Sequence, residues 1–340
     1  MTHRFLTAVA VAAMILIPAV GQTPTPVAKP SPATKTGTAW VASKTPEGQP
    51  DLQGTWTNST ITPLERPREL AGKEFFTEQE AAEYEKRMLK ALNTDNRDGP
   101  PEVDVGRSYN EAWRERGKLL LRTSLIVDPP DGRIPPLTAE GQKRAAARAE
   151  DRRRRGPDPA DSWEDRNLAE RCITRGAPKL PGGYNNNFMI VQTRGYVAIL
   201  QEMIHEVRLI PLDGRPHVDK AVQLWLGDSR GRWEGDTLVV DTTNFNGKII
   251  ANSFNCCGSA GANLHVVERF RRVSPDAIDY QYTVDDPATY TRPWTVAVPM
   301  TKIQEPMYEY ACHEGNYAMR GILAGARAQE KAKEDAKKAK

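Results

Sequence analysis

The stretch Ala277-Ile278-Asp279-Tyr280-Gln281-Tyr282-Thr283-Val284 decides the fold class. Its large apolar side chains, Ile278, Tyr280, Tyr282 and Val284, recur at every second position. A period of two belongs to a strand with one face on a core. Working outward, Leu264 to Val273 and Trp294 to Met300 read as its neighbours. Phe188 to Thr193, Tyr196 to Glu202, His205 to Leu212, Val222 to Leu226 and Thr237 to Phe245 continue the series upstream. Arg194-Gly195, Asp213-Gly214 and Glu234-Gly235-Asp236 supply turns between them. Strands this short and evenly spaced predict an antiparallel β-meander curled into a barrel-like or sandwich sheet. Neither a repeating helix–strand alternation nor a G-x-G-x-x-G motif is present, which speaks against a doubly wound nucleotide-binding sheet.

Ahead of the strands the period lengthens. Thr77-Glu78-Gln79-Glu80 has capping-box spacing, and Ala81, Tyr84, Met88 and Leu92 follow on one helical face. A second helix is expected from Thr138 to about Arg155, and Leu119 to Val127 is a strand candidate closed by Asp128-Pro129-Pro130-Asp131-Gly132. The fold class is therefore α+β, with a helical N-terminal segment over residues 50–160 packed on an antiparallel β domain over 161–323. Residues 324–340 form a charged helical or disordered tail.

The chain has 340 residues, 39% of them hydrophobic and 27% charged, which suits a soluble globular protein and not a fibrous or wholly disordered one. Its formal net charge is +3, and the six Lys/Arg against three Asp/Glu between Arg327 and Lys340 account for all of it. Without a global basic field, no nucleic-acid partner is expected; the run Arg152 to Arg155 reads as a helix terminus that complements the dipole. Residues 1–21 read as a signal peptide: His3 and Arg4 precede an apolar run from Phe5 to Val20, and Ala19-Val20-Gly21 has the small residues of a cleavage site. That run is shorter than the ~20 residues of a membrane span, and no transmembrane segment is expected after its removal. Residues 22–49, rich in Thr and Pro, read as a disordered linker. A periplasmic or secreted location follows. There cysteines tend to pair, and Cys172, Cys256, Cys257 and Cys312 allow three connectivities.

Chemistry centres on His205, His217, His265 and His313, each with a carboxylate close in sequence: Glu206, Asp219, Glu268 and Glu314. Three readings stand side by side: ordinary structural histidines, acid–base or ligand-orienting groups, and metal ligands. No H-E-x-x-H occurs, and no G-x-S-x-G elbow points to a serine hydrolase. Regular strands put His205 and Glu206, and likewise His265 and Glu268, on opposite faces. Asp236 and Asp241 are considered as a carboxylate pair and read instead as turn and strand residues.

Several stretches resemble an uncharacterised family of exported bacterial proteins found in acidobacteria and some proteobacteria. They are Glu202-Met203-Ile204-His205-Glu206, Ile210-Pro211-Leu212-Asp213-Gly214-Arg215-Pro216-His217, Gly227 through Glu234-Gly235-Asp236 to Phe245, and Tyr308-Glu309-Tyr310-Ala311-Cys312-His313-Glu314-Gly315-Asn316. The resemblance implies a Cys172–Cys312 disulfide and carries no activity. Separately, Gly54-Thr55-Trp56 resembles the G-x-W that opens lipocalin barrels.

The leading expectation is a small, partly apolar ligand held in a barrel-like cup, with Glu202, His205, Arg208, Arg215, Trp233 and His313 as its contacts. Two alternatives accompany it. One is a hydrolase- or isomerase-type enzyme, metal-assisted or not, using His205 and His313 with Glu206 and Glu314. The other is a structural envelope protein without a pocket. Cofactor and metal content are left open.

Overall fold

The computed structural model describes residues 40–96, 109–156, 159–248 and 261–339. The expected signal, most of the expected linker, and Cys256-Cys257 lie outside the described residues. Among the described residues, eleven strands form one sheet: β1 Gly54–Thr57, β2 Ile126–Asp128, β3 Asn187–Gln192, β4 Tyr196–Gln201, β5 Glu206–Pro211, β6 Asp228–Glu234, β7 Thr237–Thr243, β8 His265–Ser274, β9 Ala277–Asp285, β10 Trp294–Ala297 and β11 Met300–Lys302. The path runs β5-β4-β3-β1-β11-β9-β8-β7-β6, with β10 pairing both β9 and β2. Every pair is antiparallel.

The sheet curls until its two ends, β5 and β6, meet without a ladder of backbone hydrogen bonds. Gly231 on β6 makes that approach possible: a Cβ there would lie 2.7 Å from Leu212 Cδ2 and 2.8 Å from Ile210 Cγ2. Side chains close the seam, with Arg208 Nη2 of β5 donating to Ser229 Oγ of β6 at 3.2 Å. The result is a nearly closed barrel, the first of the two expected sheet forms.

Alternation fills the interior. Ile278, Tyr280, Tyr282 and Val284 of β9 point inward beside Val266, Phe270, Val240, Ile190 and Trp294, all almost fully buried. Gly54-Thr55-Trp56 is β1, seated between β3 and β11. Its buried Trp56 donates Nε1–H to the Leu52 carbonyl at 2.9 Å, and the Arg272 guanidinium lies 5.5 Å from the ring centre.

The stretch expected to be helical thus lends two strands to the barrel. Of its helices, α1 (Glu78–Leu92) starts with the capping box: Glu80 N donates to Thr77 Oγ1 while Thr77 N donates back to Glu80. It packs in a small cluster of Phe76, Ala81, Tyr84 and Leu119, separate from the barrel core. Helix α2 (Ala139–Arg155), capped by Thr138, touches the sheet mainly through polar groups, its Arg144 donating to Thr289 Oγ1 at 2.6 Å. Helix α3 (Tyr317–Lys338) carries the charged tail.

Two expected strands are corrected. Leu119 to Val127 is strand only from Ile126, because its backbone bonds to loop residues instead: Leu121 O accepts from Phe76 N at 2.8 Å, Thr123 N donates to Glu74 O at 3.0 Å and Leu125 N donates to Pro63 O at 2.8 Å. Val222 to Leu226 is a loop with a single parallel bridge: Leu224 N donates to Asn244 O at 2.8 Å and Leu224 O accepts from Asn246 N at 3.0 Å, while Asn244 Nδ2 donates to the carbonyls of Val218, Asp219 and Val222. Trp294 to Met300 divides into β10 and β11.

Candidate functional site

The barrel interior is polar as well as apolar. Arg208 donates Nη1 to Glu268 Oε1 at 3.0 Å and Nη2 to Glu268 Oε2, and Tyr280 Oη donates to Glu268 Oε1 at 2.7 Å. Burial opposes the Arg208 charge, but Glu268 more than offsets it and holds the guanidinium above its ordinary range. Arg208 is therefore spent within the protein and forms no anion-facing wall. These groups, with Lys179, Gln201 and Glu206, line a pocket of about 20 Å³. That is room for one water. Inward-facing Trp233 packs partly buried against the core, whereas Arg215 lies on the surface, where Asp213 pairs with it.

Lys179 is 2% exposed and donates to Asn186 Oδ1 at 2.9 Å. Burial brings its ammonium down to about 7, against the pull of Glu115 and Glu202. Its pKa is lower folded than unfolded, so stability should rise with pH between about 7 and the unfolded value near 10.5. Lys179→Met is expected to remove that rise and to gain about 1–2 kcal/mol at pH 6, fading by pH 10. Urea unfolding at the two pH values checks this; parallel pH profiles of the two proteins would contradict it.

The sequence-designated pair does come together. The rings of His205 and His313 are 6.2 Å apart between centres. His205 sits at the end of a 3-10 turn, Met203–His205, and its Nδ1 donates to the Tyr310 carbonyl at 2.8 Å. His313 follows Cys312, which is bonded to Cys172 with 5.7 Å between Cα atoms. The carboxylates do not join them. Glu206 turns inward, accepting from Arg175 N and Gln201 Nε2 at 3.3 Å, and burial pushes it up to about 7. Glu202 is buried, accepts from Asn187 N at 3.3 Å and is raised by burial and then by Glu115. Glu314 is exposed. His205 and Glu206 thus point apart, but through the 3-10 turn that ends at His205 with positive φ and not through strand alternation, since β5 starts at Glu206.

The other two histidines build a constellation that the sequence did not disclose. Asp228 and Arg230 of β6, Asp241 and Thr243 of β7, and His265 of β8 share the outer face, because Arg230 is opposite Asp241 and strand neighbours alternate. The β5–β6 loop, held by Asn244, lays His217 over this face. His217 Nδ1 is 2.9 Å from Asp228 Oδ2, and its Nε2 is 2.9 Å from Asp241 Oδ1. His265 Nε2 is 3.0 Å from Asp241 Oδ2. Asp228 also accepts from Val218 N at 3.1 Å and pairs with Arg230 at 2.9 Å. Burial alone would raise Asp241, but the two imidazole hydrogen bonds outweigh it and leave its carboxyl below the ordinary value. The partners of His217 are thus Asp228 and Asp241, not Asp219, and that of His265 is Asp241, not Glu268. Asp236 stays in the exposed β6–β7 turn.

This chain, Asp228–His217–Asp241–His265, borders a cleft of about 650 Å³ whose lining includes His217, Val218, Lys220, Thr243, Leu264 and His265. His265 donates Nε2–H to Asp241, which fixes the tautomer with a lone pair on Nδ1. Among the described residues, no group of three or more His, Cys, Asp or Glu has the arrangement of a metal site, and no helix is long and apolar enough to cross a membrane.

No protein-family model, no curated protein and no solved structure matches the chain.

Proposed function

We propose that the protein is an exported binder of a small, partly apolar ligand, and that the ligand sits in the outer cleft against His265. The observation that carries this reading is the Asp228–His217–Asp241–His265 chain ending at a cleft of about 650 Å³. Its volume falls in the range of small-molecule sites, and Val218 and Leu264 offer apolar surface within a mainly polar lining. Lys220 suits a ligand with an anionic end. The leader-like sequence of residues 1–21 supports export, and a disulfide is compatible with an oxidising compartment.

A second reading, acid–base catalysis on that ligand, is favoured by one feature: a carboxylate behind an imidazole is the arrangement of an oriented general base. Binding is tested by titrating the wild type with the amphiphilic anion anilinonaphthalene sulfonate. His265→Ala is expected to weaken it about fivefold, the loss of one neutral hydrogen bond that the His265 Nδ1 lone pair accepts from the probe's anilino N–H. His205→Ala is expected to leave it unchanged. Equal affinity for wild type and His265→Ala would overturn the assignment of the cleft.

A further inference from the structure

We propose that His205 and His313 form a second site, separate from the outer cleft, that binds one divalent transition-metal ion of the zinc, copper or nickel type. Two imidazoles on one ion, each with a metal–nitrogen distance of about 2.0–2.1 Å, have ring centres roughly 5.2 Å apart at a tetrahedral angle and roughly 6.4 Å apart when trans. The observed 6.2 Å lies close to the trans value, the arrangement of square-planar copper(II) or nickel(II). Because a carbonyl only accepts, the bond to Tyr310 fixes the proton on Nδ1 of His205 and leaves the Nε2 lone pair to bind. A backbone carbonyl behind the distal nitrogen is a common support for a metal-ligating histidine.

The local backbone supplies the independent observation. Ile204 and His205 both have positive φ, 63° and 44°, and a β-branched residue there is strained. Cys172, the other half of the staple that fixes His313, has φ 53°. Strain of this kind persists only where surrounding structure enforces it, and it gathers at functional positions. Here Met203 and Ile204 are buried with Ala169 beneath Tyr310, while Asn316 ties the loop by donating to the Glu170 carbonyl at 2.8 Å. Both imidazoles are exposed, so water can complete the coordination. Imidazole nitrogen suits zinc, copper and nickel better than calcium or magnesium.

Copper(II) titration of the full chain, followed by electron paramagnetic resonance, tests the site. His205→Asn keeps a side chain that tolerates positive φ and can donate to Tyr310, yet removes the distal nitrogen. One tight copper ion with two nitrogen ligands is expected. Its affinity should fall at least about tenfold in His205→Asn and in His313→Asn alike, the floor for losing even an outer partner. It should be unchanged in His265→Ala. No binding by the wild type, a loss in only one of the two variants, or a loss in His265→Ala would overturn the proposal. Near-identical circular dichroism of the variants guards against misfolding, and His313→Ala provides a second route if one variant fails to fold.

Discussion

Glu268→Gln is expected to cost about 3–5 kcal/mol of unfolding free energy, because it leaves the buried Arg208 guanidinium without its counter-charge. The side chains are 10% and 2% exposed, so neither solvent nor salt can take over the missing interaction. Glutamine preserves shape and one acceptor for Tyr280, which isolates the charge from any packing change. The sign reverses in the double variant. Arg208→Met with Glu268→Leu removes both charges together and is expected to be near neutral or stabilising, since desolvation of the ions is then no longer paid. Urea unfolding of the two variants checks this. A loss below 1 kcal/mol in Glu268→Gln would mean that water reaches the pair through the small interior pocket.

Replacing both Cys172 and Cys312 with serine is the second large effect. The two residues are 140 positions apart and enclose β3 to β11. Chain entropy alone places the cost of opening such a loop at about 5 kcal/mol, and native disulfides lie at about 2–5 kcal/mol. The expected result is a lower denaturation midpoint with the barrel still formed, because the barrel core does not include either cysteine. An unchanged midpoint would contradict this. The same variant should loosen His313 relative to His205 and so weaken the copper site.

The strands with one apolar face were legible. Ile278, Tyr280, Tyr282 and Val284 announced β9, and Thr77 with Glu80 announced the start of α1. Strand β6, Asp228–Glu234, was not, for a physical reason. Its inward positions include Ser229 and Gly231, small because the opposing edge strand approaches there, so the apolar alternation is missing. The approach of His205 to His313 was anticipated from the sequence, as was their bond-clamped setting. The histidine–aspartate chain was not, since its members pair at separations of 11 and 24 residues and depend on strand register. Asn244 is the residue that makes the loop deliver His217, and nothing in its sequence neighbours marks it. The candidate contacts Arg208, Arg215 and Trp233 rest on residue chemistry alone, charge for an anion and an aromatic beside a turn; engagement by Glu268, by Asp213 and by the core respectively is a matter of tertiary packing.

The proposed ligand site lies outside the barrel, against β7 and β8, and not within it. A crystal structure of the protein with anilinonaphthalene sulfonate tests it most directly. Density is expected for the aromatic rings against Val218 and Leu264, with the sulfonate near Lys220 and the anilino N–H within hydrogen-bond reach of His265 Nδ1. Density inside the barrel, between Phe188 and Tyr280, or none beside His265, would contradict it.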